Sequence, residues 1–307
     1  MQLPVLLIGF NRPKEFSESL DNLRQVGISN LFISLDGPRE KNSKDLAARD
    51  EILRIIDEID WCNPKTNLLP KNFGCKQAVN NAISWFFSFT KFGVINEDDV
   101  LLSKDFFLDC EYFLDKYQND KNIMSISAHS EFANGEGMTH FISPFCRVWG
   151  WATWADRWNY HLDSVKKMQE MNFIKAYLFL PRFIRSFRIS AIIIASKQGR
   201  LSTWDYEWNI SHAVLNSKSI TPYGNYVINI GCNDPNATHT AEMDSPQIKY
   251  HIPNSREKLP ILEINDLDND LAKIIRARCQ MEPLSFKGEI RSILGILYRV
   301  ILRKAQE

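Results

Sequence analysis

The chain has 307 residues, with 37 Lys plus Arg against 37 Asp plus Glu, and 44% of it is hydrophobic. That length supports a sizeable core, and the balanced charge without a continuous basic stripe excludes nucleic acid as the natural partner. Cys62, Cys75, Cys110, Cys146, Cys232 and Cys279 form no metal-ligand pairs and lie mostly in apolar stretches. They predict reduced, buried thiols in a cytoplasmic protein. The N-terminus carries no basic region of a signal peptide, and no apolar run is long enough to span a bilayer.

In chain order, Val5 to Phe10 reads as a buried strand, and Asn11-Arg12-Pro13 makes the turn into a helix with Phe16, Leu20 and Leu23 on one face. Leu31 to Leu35 is a second strand, ended by the turn signal Asp36-Gly37-Pro38. A helix follows from about Ser43 to Asp60, bearing Leu46, Ile52, Ile55, Ile56 and Ile59. A third strand is expected near Thr66 to Leu69, a helix from Cys75 to Phe89, and a fourth strand from Phe92 to Asn96. Next come a helix from Ser103 to Tyr117, a strand at Ile123 to Ile126, and a later strand at Tyr226 to Ile230. Alternating strands and helices indicate parallel βαβ units. The layout suits nucleotide binding, but no glycine-rich phosphate loop follows the first strand. A metal is the obvious alternative holder of phosphates.

Glu97-Asp98-Asp99 closes the fourth strand, where open α/β sheets bind their ligands. Strand alternation would turn Glu97 and Asp99 to one side and Asp98 to the other. Clustered carboxylates suit a hard divalent cation, which in turn suits a diphosphate. Alternatively, the acids simply precede a helix capped by Ser103, whose dipole favours negative charge. The second half is rich in tryptophan: 149, 151, 154, 158, 204 and 208. Indoles commonly fill cores, but they also stack on sugars. Gly150 between Trp149 and Trp151 suggests backbone passing close to a ligand. Trp204-Asp205-Tyr206-Glu207-Trp208 sets carboxylates among aromatics, where partial burial raises their basicity.

Six segments in order then resemble a group of bacterial nucleotide-sugar glycosyltransferases of the GT-A fold: Asn11-Arg12-Pro13, Asn72-Phe73-Gly74-Cys75, Glu97-Asp98-Asp99, Trp149 to Trp154, Trp204 to Trp208, and Ala237-Thr238-His239-Thr240. The resemblance runs from Pro4 to about Thr240. The group is similar to N-acetylglucosaminyltransferase I, an inverting, manganese-dependent enzyme, although the spacing after the Trp-Asp pair differs by one residue. The fold implied is α/β: a Rossmann-like, mostly parallel sheet flanked by helices, with an acceptor-side subregion and a C-terminal amphipathic helix. Residues 1–128 would form the nucleotide-sugar half, 129–260 the acceptor and catalytic half of the same domain, and 261–307 a helical extension.

The resemblance also implies roles. Arg12 and Asp36 would serve the uridine end of the donor, with plain turn capping as the alternative for Asp36, and Asn72 would be a further nucleotide- or donor-binding residue. Asp98 would contact the ribose and Glu97 the donor sugar. Asp99 would ligate Mn²⁺ or Mg²⁺, with His239 as a further metal or diphosphate ligand, or as an ordinary solvated loop histidine. Asp205 would be the base that deprotonates an acceptor hydroxyl, with Glu207 as rival; either could instead be a helix-start acid. Trp149, Gly150, Trp151 and Trp204 would meet sugar.

Two basic, apolar segments, 173–188 and 286–304, suit a helix lying on an anionic membrane surface or one packed on the domain. The tail is expected to make peripheral contact with the inner face of the cytoplasmic membrane, where lipid-linked acceptors would be met. The activity expected is transfer of a sugar, by similarity GlcNAc, from a UDP-sugar to a glycan or lipid-linked acceptor in surface polysaccharide assembly, such as capsule or O-antigen. The alternatives are a non-catalytic glycan-binding protein and a sugar-nucleotide nucleotidyltransferase; the latter would normally carry the glycine-rich basic loop that is missing here.

Overall fold

A computed structural model describes residues 1–130, 139–144, 146–180, 187–200, 203–231 and 262–263. Two compact units make up the chain: Met1–Trp158 with Lys218–Glu263, and Asn159–Ser217 with Ile264–Glu307. Strands on either side of position 128 share one sheet.

In the first unit, β1 (Val5–Gly9), α1 (Pro13–Val26), β2 (Leu31–Leu35), α2 (Ser43–Asp57), β3 (Lys65–Leu68), α3 (Cys75–Phe86) and β4 (Phe92–Glu97) alternate as the sequence pattern requires. Pro13 opens α1, where its missing N–H costs nothing, and Gly27 closes it at φ 87°. The expected apolar face of Phe16, Leu20 and Leu23 is buried against the sheet core. Of the α2 residues, Ile52 and Ile56 are buried, whereas Leu46 is exposed.

After β4 come β5 (Val100–Leu102), α4 (Lys104–Lys116), β6 (Ile123–Ser127), β7 (His140–Ser143), β8 (Trp151–Trp154), the start of α5 (Ala155–Gln169), and later β9 (Lys218–Pro222), β10 (Val227–Asn229) and β11 (Leu262–Glu263). The large sheet is ordered β11-β7-β9-β6-β8-β4-β1-β2-β3, and β5 pairs with β10 in a separate two-stranded ribbon. β3, β2, β1 and β4 are mutually parallel, β8 runs antiparallel between β4 and β6, and β6 is parallel to β9. The fold is therefore α/β, with a mixed, mostly parallel sheet flanked by helices. Because β4 and β6 run the same way, their C-terminal ends share one edge of the sheet. Chain order reverses between β1 and β4, so the crevice of the open sheet lies at that edge.

The tryptophan-rich strand is core. Trp151 and Trp158 have no exposed surface and Trp154 is 3% exposed. Trp154 donates to the Leu114 carbonyl at 3.1 Å, and Trp158 to Ser84 Oγ at 2.9 Å. Arg157 is buried beside them. Its guanidinium spans the carbonyls of Tyr117, Gln118 and Asp120 at 2.9, 2.9 and 3.2 Å and stacks over Trp154, fastening the turn that leads into β6.

The second unit contains the rest of α5, α6 (Phe173–Phe179), α7 (Phe187–Lys197) and α8 (Asp205–Val214). Phe187 stacks on Phe173 and Tyr177, joining α6 to α7. In α8, Trp208 is wedged between His161 and His212 and is fully buried. Among the described residues no helix is long and apolar enough to cross a membrane. His239, residues 182 and 185, and the basic tail 286–304 lie outside the described residues. Cys110 and Cys146 are buried free thiols, but Cys75 is exposed, because it starts α3 on its solvent side.

Candidate functional site at the β1–β4 crevice

The acidic triplet is a turn between two strands. β4 ends at Glu97, and β5 resumes at Val100. Asn96 braces this turn: its buried amide donates to the Val100 carbonyl and to Ser19 Oγ, each at 3.0 Å. From the ribbon, the Ile230 amide donates to the Asp99 carbonyl at 2.8 Å. Helix α4 begins only after β5, with Ser103 as its cap, so the acids do not sit at a helix N-terminus.

Because the strand ends at Glu97, period-2 alternation ends there too. Asp98 and Asp99 do not diverge as expected; both turn to Arg12. One guanidinium nitrogen of Arg12 is paired with Asp98, and the other with Asp99 Oδ2 at 2.9 Å. The Phe10 amide also approaches Asp98, at 3.4 Å. Asp98 is 3% and Asp99 9% exposed. Burial pushes the Asp98 carboxyl above its usual range; Arg12 opposes this and the Asp99 charge adds to it. Burial works against the Arg12 charge, but the two carboxylates outweigh it and hold the guanidinium more firmly protonated than usual. Two carboxylates thus share one cation. Arg12 holds both acids, its side chain still 20% exposed, and Asp98 is buried beneath it. Glu97 stays half-buried at the crevice. Gly231, which follows β10, packs directly on this group: a Cβ there would lie 2.3 Å from Asp99 Oδ2 and 2.8 Å from Arg12 Nη1.

Beside this group, two loops are locked together by Asp36. Its Oδ1 accepts from the amides of Gly37 and Phe73 at 2.8 and 3.0 Å, and its Oδ2 from Asn72 Nδ2 and the Gly74 amide at 2.8 and 3.2 Å. Burial raises its pKa, and the backbone amides pull it back. Four donors occupy the carboxylate. A nucleobase imide would reach it only where Asn72 swings away. Asp36 and Asn72 are therefore brought together, in the loop-capping arrangement. Gly37 is needed because the backbone of Lys71 crosses it: a Cβ would sit 2.3 to 2.4 Å from Lys71 backbone atoms.

Asp45, which the sequence reading passed over, ties the turn after β1 to the loop after β2. It accepts from Asn11 Nδ2 at 2.9 Å and from Arg39 Nε and Nη2 at 2.6 and 2.8 Å. The hydrogen bonds from Arg39 hold its carboxyl down at about 2. Its signal was present at the third position of a helix capped by Asn42, but an acid there is expected on dipole grounds alone.

The remaining candidates separate clearly. Trp149 is half-buried and stands at the crevice edge, packed on His129 with ring centroids 4.8 Å apart. Gly150 owes its identity to φ 67° and to Leu102, whose Cδ2 would be 2.3 Å from a Cβ; the close approach is to protein, not to a ligand. Trp151 and Trp204 are buried, at 0% and 3% exposure, and offer no ring face to a sugar. In the second unit, Asp205 opens α8, is partly exposed, and accepts from Thr203 Oγ1. Glu207 is 4% exposed, accepts from Ser196 Oγ, and lines a small apolar recess with Met168, Ile193 and Ile210. The helix directs the two acids apart, as its geometry requires.

No cluster of three or more His, Cys, Asp or Glu able to hold a metal exists among the described residues. The donor set does fit a cation shared with a ligand. The oxygens are hard, and Arg12 leaves the acid pair one negative charge in excess.

No protein-family model matches the chain. No curated protein matches it by sequence either. Among solved structures, a mannosyltransferase from Pyrobaculum calidifontis in complex with GDP-Man and Mn²⁺ is similar at 12% identity and TM-score 0.36, over 70% of this chain and 74% of that one. A cytidylyltransferase from Leptospira borgpetersenii is similar at 11% identity and TM-score 0.32, over 53% of this chain and 64% of that one. A mannose-1-phosphate geranyltransferase from Thermus thermophilus is similar at 10% identity and TM-score 0.33, over 76% of this chain and 77% of that one. Likenesses of this size assign no activity.

Proposed function

We propose that this protein is a divalent-metal-dependent glycosyltransferase of GT-A type that takes its sugar from a UDP-sugar, with inversion, and passes it to a glycan or lipid-linked acceptor. The observation that carries the reading is the Asp98–Asp99 pair, at the β1–β4 switch point, neutralised by a single arginine. Such a site has a deficit of one positive charge; a divalent cation meets it and keeps one charge over to draw a diphosphate.

In this reading Asp99 holds Mn²⁺ or Mg²⁺ through its carboxylate, and His239 is a second ligand. When bound, the ion supplies charge neutralisation for the departing diphosphate. Arg12 fixes both carboxylates, a change from direct contact with uridine. Glu97 faces the donor sugar, and the Asp36–Asn72 loop borders the base. Asp205, partly exposed at the start of α8, takes the proton from the attacking acceptor hydroxyl. Glu207, buried against Ser196, is the rival base that this reading ranks second. A nucleotidyltransferase is disfavoured by the first turn: only Phe10, Asn11 and Arg12 separate β1 from α1, with Arg12 drawn onto the acids.

Calorimetric titration of UDP and UDP-sugars with and without Mn²⁺, on the wild type and on Asp99→Ala, tests the reading. Metal-dependent binding that the substitution abolishes is expected. A wild type that binds no uridine nucleotide under either condition would overturn it.

A further inference from the structure

Beyond the acid pair, the crevice edge carries a second polar group. β8 pairs through Trp151 with Ile95 of β4 on one side and Ser127 of β6 on the other. The chain therefore enters this edge at Trp149 and Gly150, between the acid turn after β4 and the segment Ala128-His129-Ser130 after β6. Backbone bonds close the arrangement: the Ala128 amide donates to the Gly150 carbonyl at 2.9 Å, and the Tyr226 amide to the Ala128 carbonyl at 3.0 Å. Asn225 is thereby brought up to His129.

The same ribbon links the two groups. β5 starts right after Asp99, and its partner β10 starts two residues after Asn225 and ends two before Gly231, which touches Asp99. Two strand spacings across the sheet put the His129 group about 10 Å from the acid turn. That separation suits a sugar next to a metal diphosphate.

Both polar members are buried, at 9% exposure for His129 and 5% for Asn225. Neither Nδ1 of His129 nor Oδ1 of Asn225 has a hydrogen bond among the described residues. Asn225 still lies close enough to raise the basicity of His129, and its amide nitrogen is used by the Val227 carbonyl at 3.0 Å. Buried polar atoms left in this state normally meet a ligand or water. Beside them Trp149 is partly exposed, with His129 packed on its ring. Burial, with Arg147 nearby, holds His129 down to about 4, so at neutral pH it is an uncharged donor and acceptor. Neutral imidazole, amide oxygen and indole match a hydroxylated, uncharged ring better than a phosphate.

We infer that His129, Asn225 and Trp149 form a pyranose-binding subsite, with Trp149 as its floor and His129 and Asn225 reading ring hydroxyls. Its placement beside a diphosphate rests on the proposed function; its sugar recognition does not.

The test compares wild type with His129→Phe, which keeps a ring against Trp149 but removes both nitrogens, and with Trp149→Ala and Trp149→Phe. Affinities are measured for UDP, for UDP-GlcNAc, UDP-glucose and UDP-galactose with Mn²⁺, and for a panel of methyl glycosides with UDP present. His129→Phe and Trp149→Ala should leave UDP affinity within about twofold yet weaken sugar recognition about tenfold, with Trp149→Phe recovering most of it. A loss confined to UDP-sugars identifies the donor sugar as the occupant, and a loss confined to glycosides identifies the acceptor. Unchanged recognition in both arms, or an equal loss for bare UDP, overturns the subsite. If wild type binds no uridine nucleotide, the proposed function fails, and the glycosides alone judge the subsite: no glycoside binding, or binding that the variants leave intact, overturns it.

Discussion

Asp45→Asn isolates the contribution of the clamp that joins the turn after β1 to the loop after β2. The side chain of Asp45 is 1% exposed and takes both a bidentate bond from Arg39 and one from Asn11. A pKa lowered from 3.8 to about 2 caps the linked stability at about 2 kcal/mol, at about 1.36 kcal/mol per pH unit. Arg39 is 56% exposed, so solvent screening reduces that figure to roughly 1–2 kcal/mol. The folded-state pKa is depressed, so the stabilisation is fully present above the unfolded pKa near 4 and is lost as pH falls through about 2. The variant should melt about 3–6 °C below wild type at pH 7, and the gap should narrow steadily between pH 4 and pH 2. Thermal unfolding followed by tryptophan fluorescence across that range is the assay. A gap below 1 °C at pH 7, or one that stays constant down to pH 2, would refute the reasoning. Since Asn11 adjoins Arg12, UDP affinity in the presence of Mn²⁺ should also fall a few-fold.

Gly231→Ala should fold but lose at least tenfold in Mn²⁺-dependent UDP affinity, because its methyl group intrudes on Asp99 and Arg12; titration calorimetry reads this directly. Gly37→Ala meets backbone that cannot rotate away, and chemical denaturation should show a loss of about 2 kcal/mol or more. Asp205→Asn should lower kcat about 10²- to 10⁴-fold with donor affinity kept. Glu207→Gln should keep kcat within a few-fold of wild type while lowering Tm; the reverse ranking of these two variants would exchange their roles.

Much of the first unit's architecture was legible in the sequence. β1, β2, β3, β4, α1, α3 and α4 arise where apolar periodicity changes between 2 and 3.6, and those periods are local properties of the chain. Five strands were not legible: β5, β7, β8, β9 and β11. Three of them carry polar or aromatic residues on faces buried by distant segments, as with Thr153, Ser219 and Thr221. β8 also runs antiparallel through an otherwise parallel region, which no local pattern announces.

The sequence by itself determined that carboxylates stand at the end of a buried strand in a βαβ array, and that Asp205 and Glu207 would diverge once on a helix. Only the tertiary structure decided what those groups face. Arg12 and Asp99, 87 positions apart, pair because β1 and β4 are neighbours. The indoles of Trp151, Trp204 and Trp208 vanish into core, while Trp149 stays at the edge. His129 gains its company of Trp149 and Asn225 from three separate chain returns. Local spacing fixes which way a side chain leaves its own backbone; burial and charge balance depend on what other segments bring to that place, and they decide what the side chain can do.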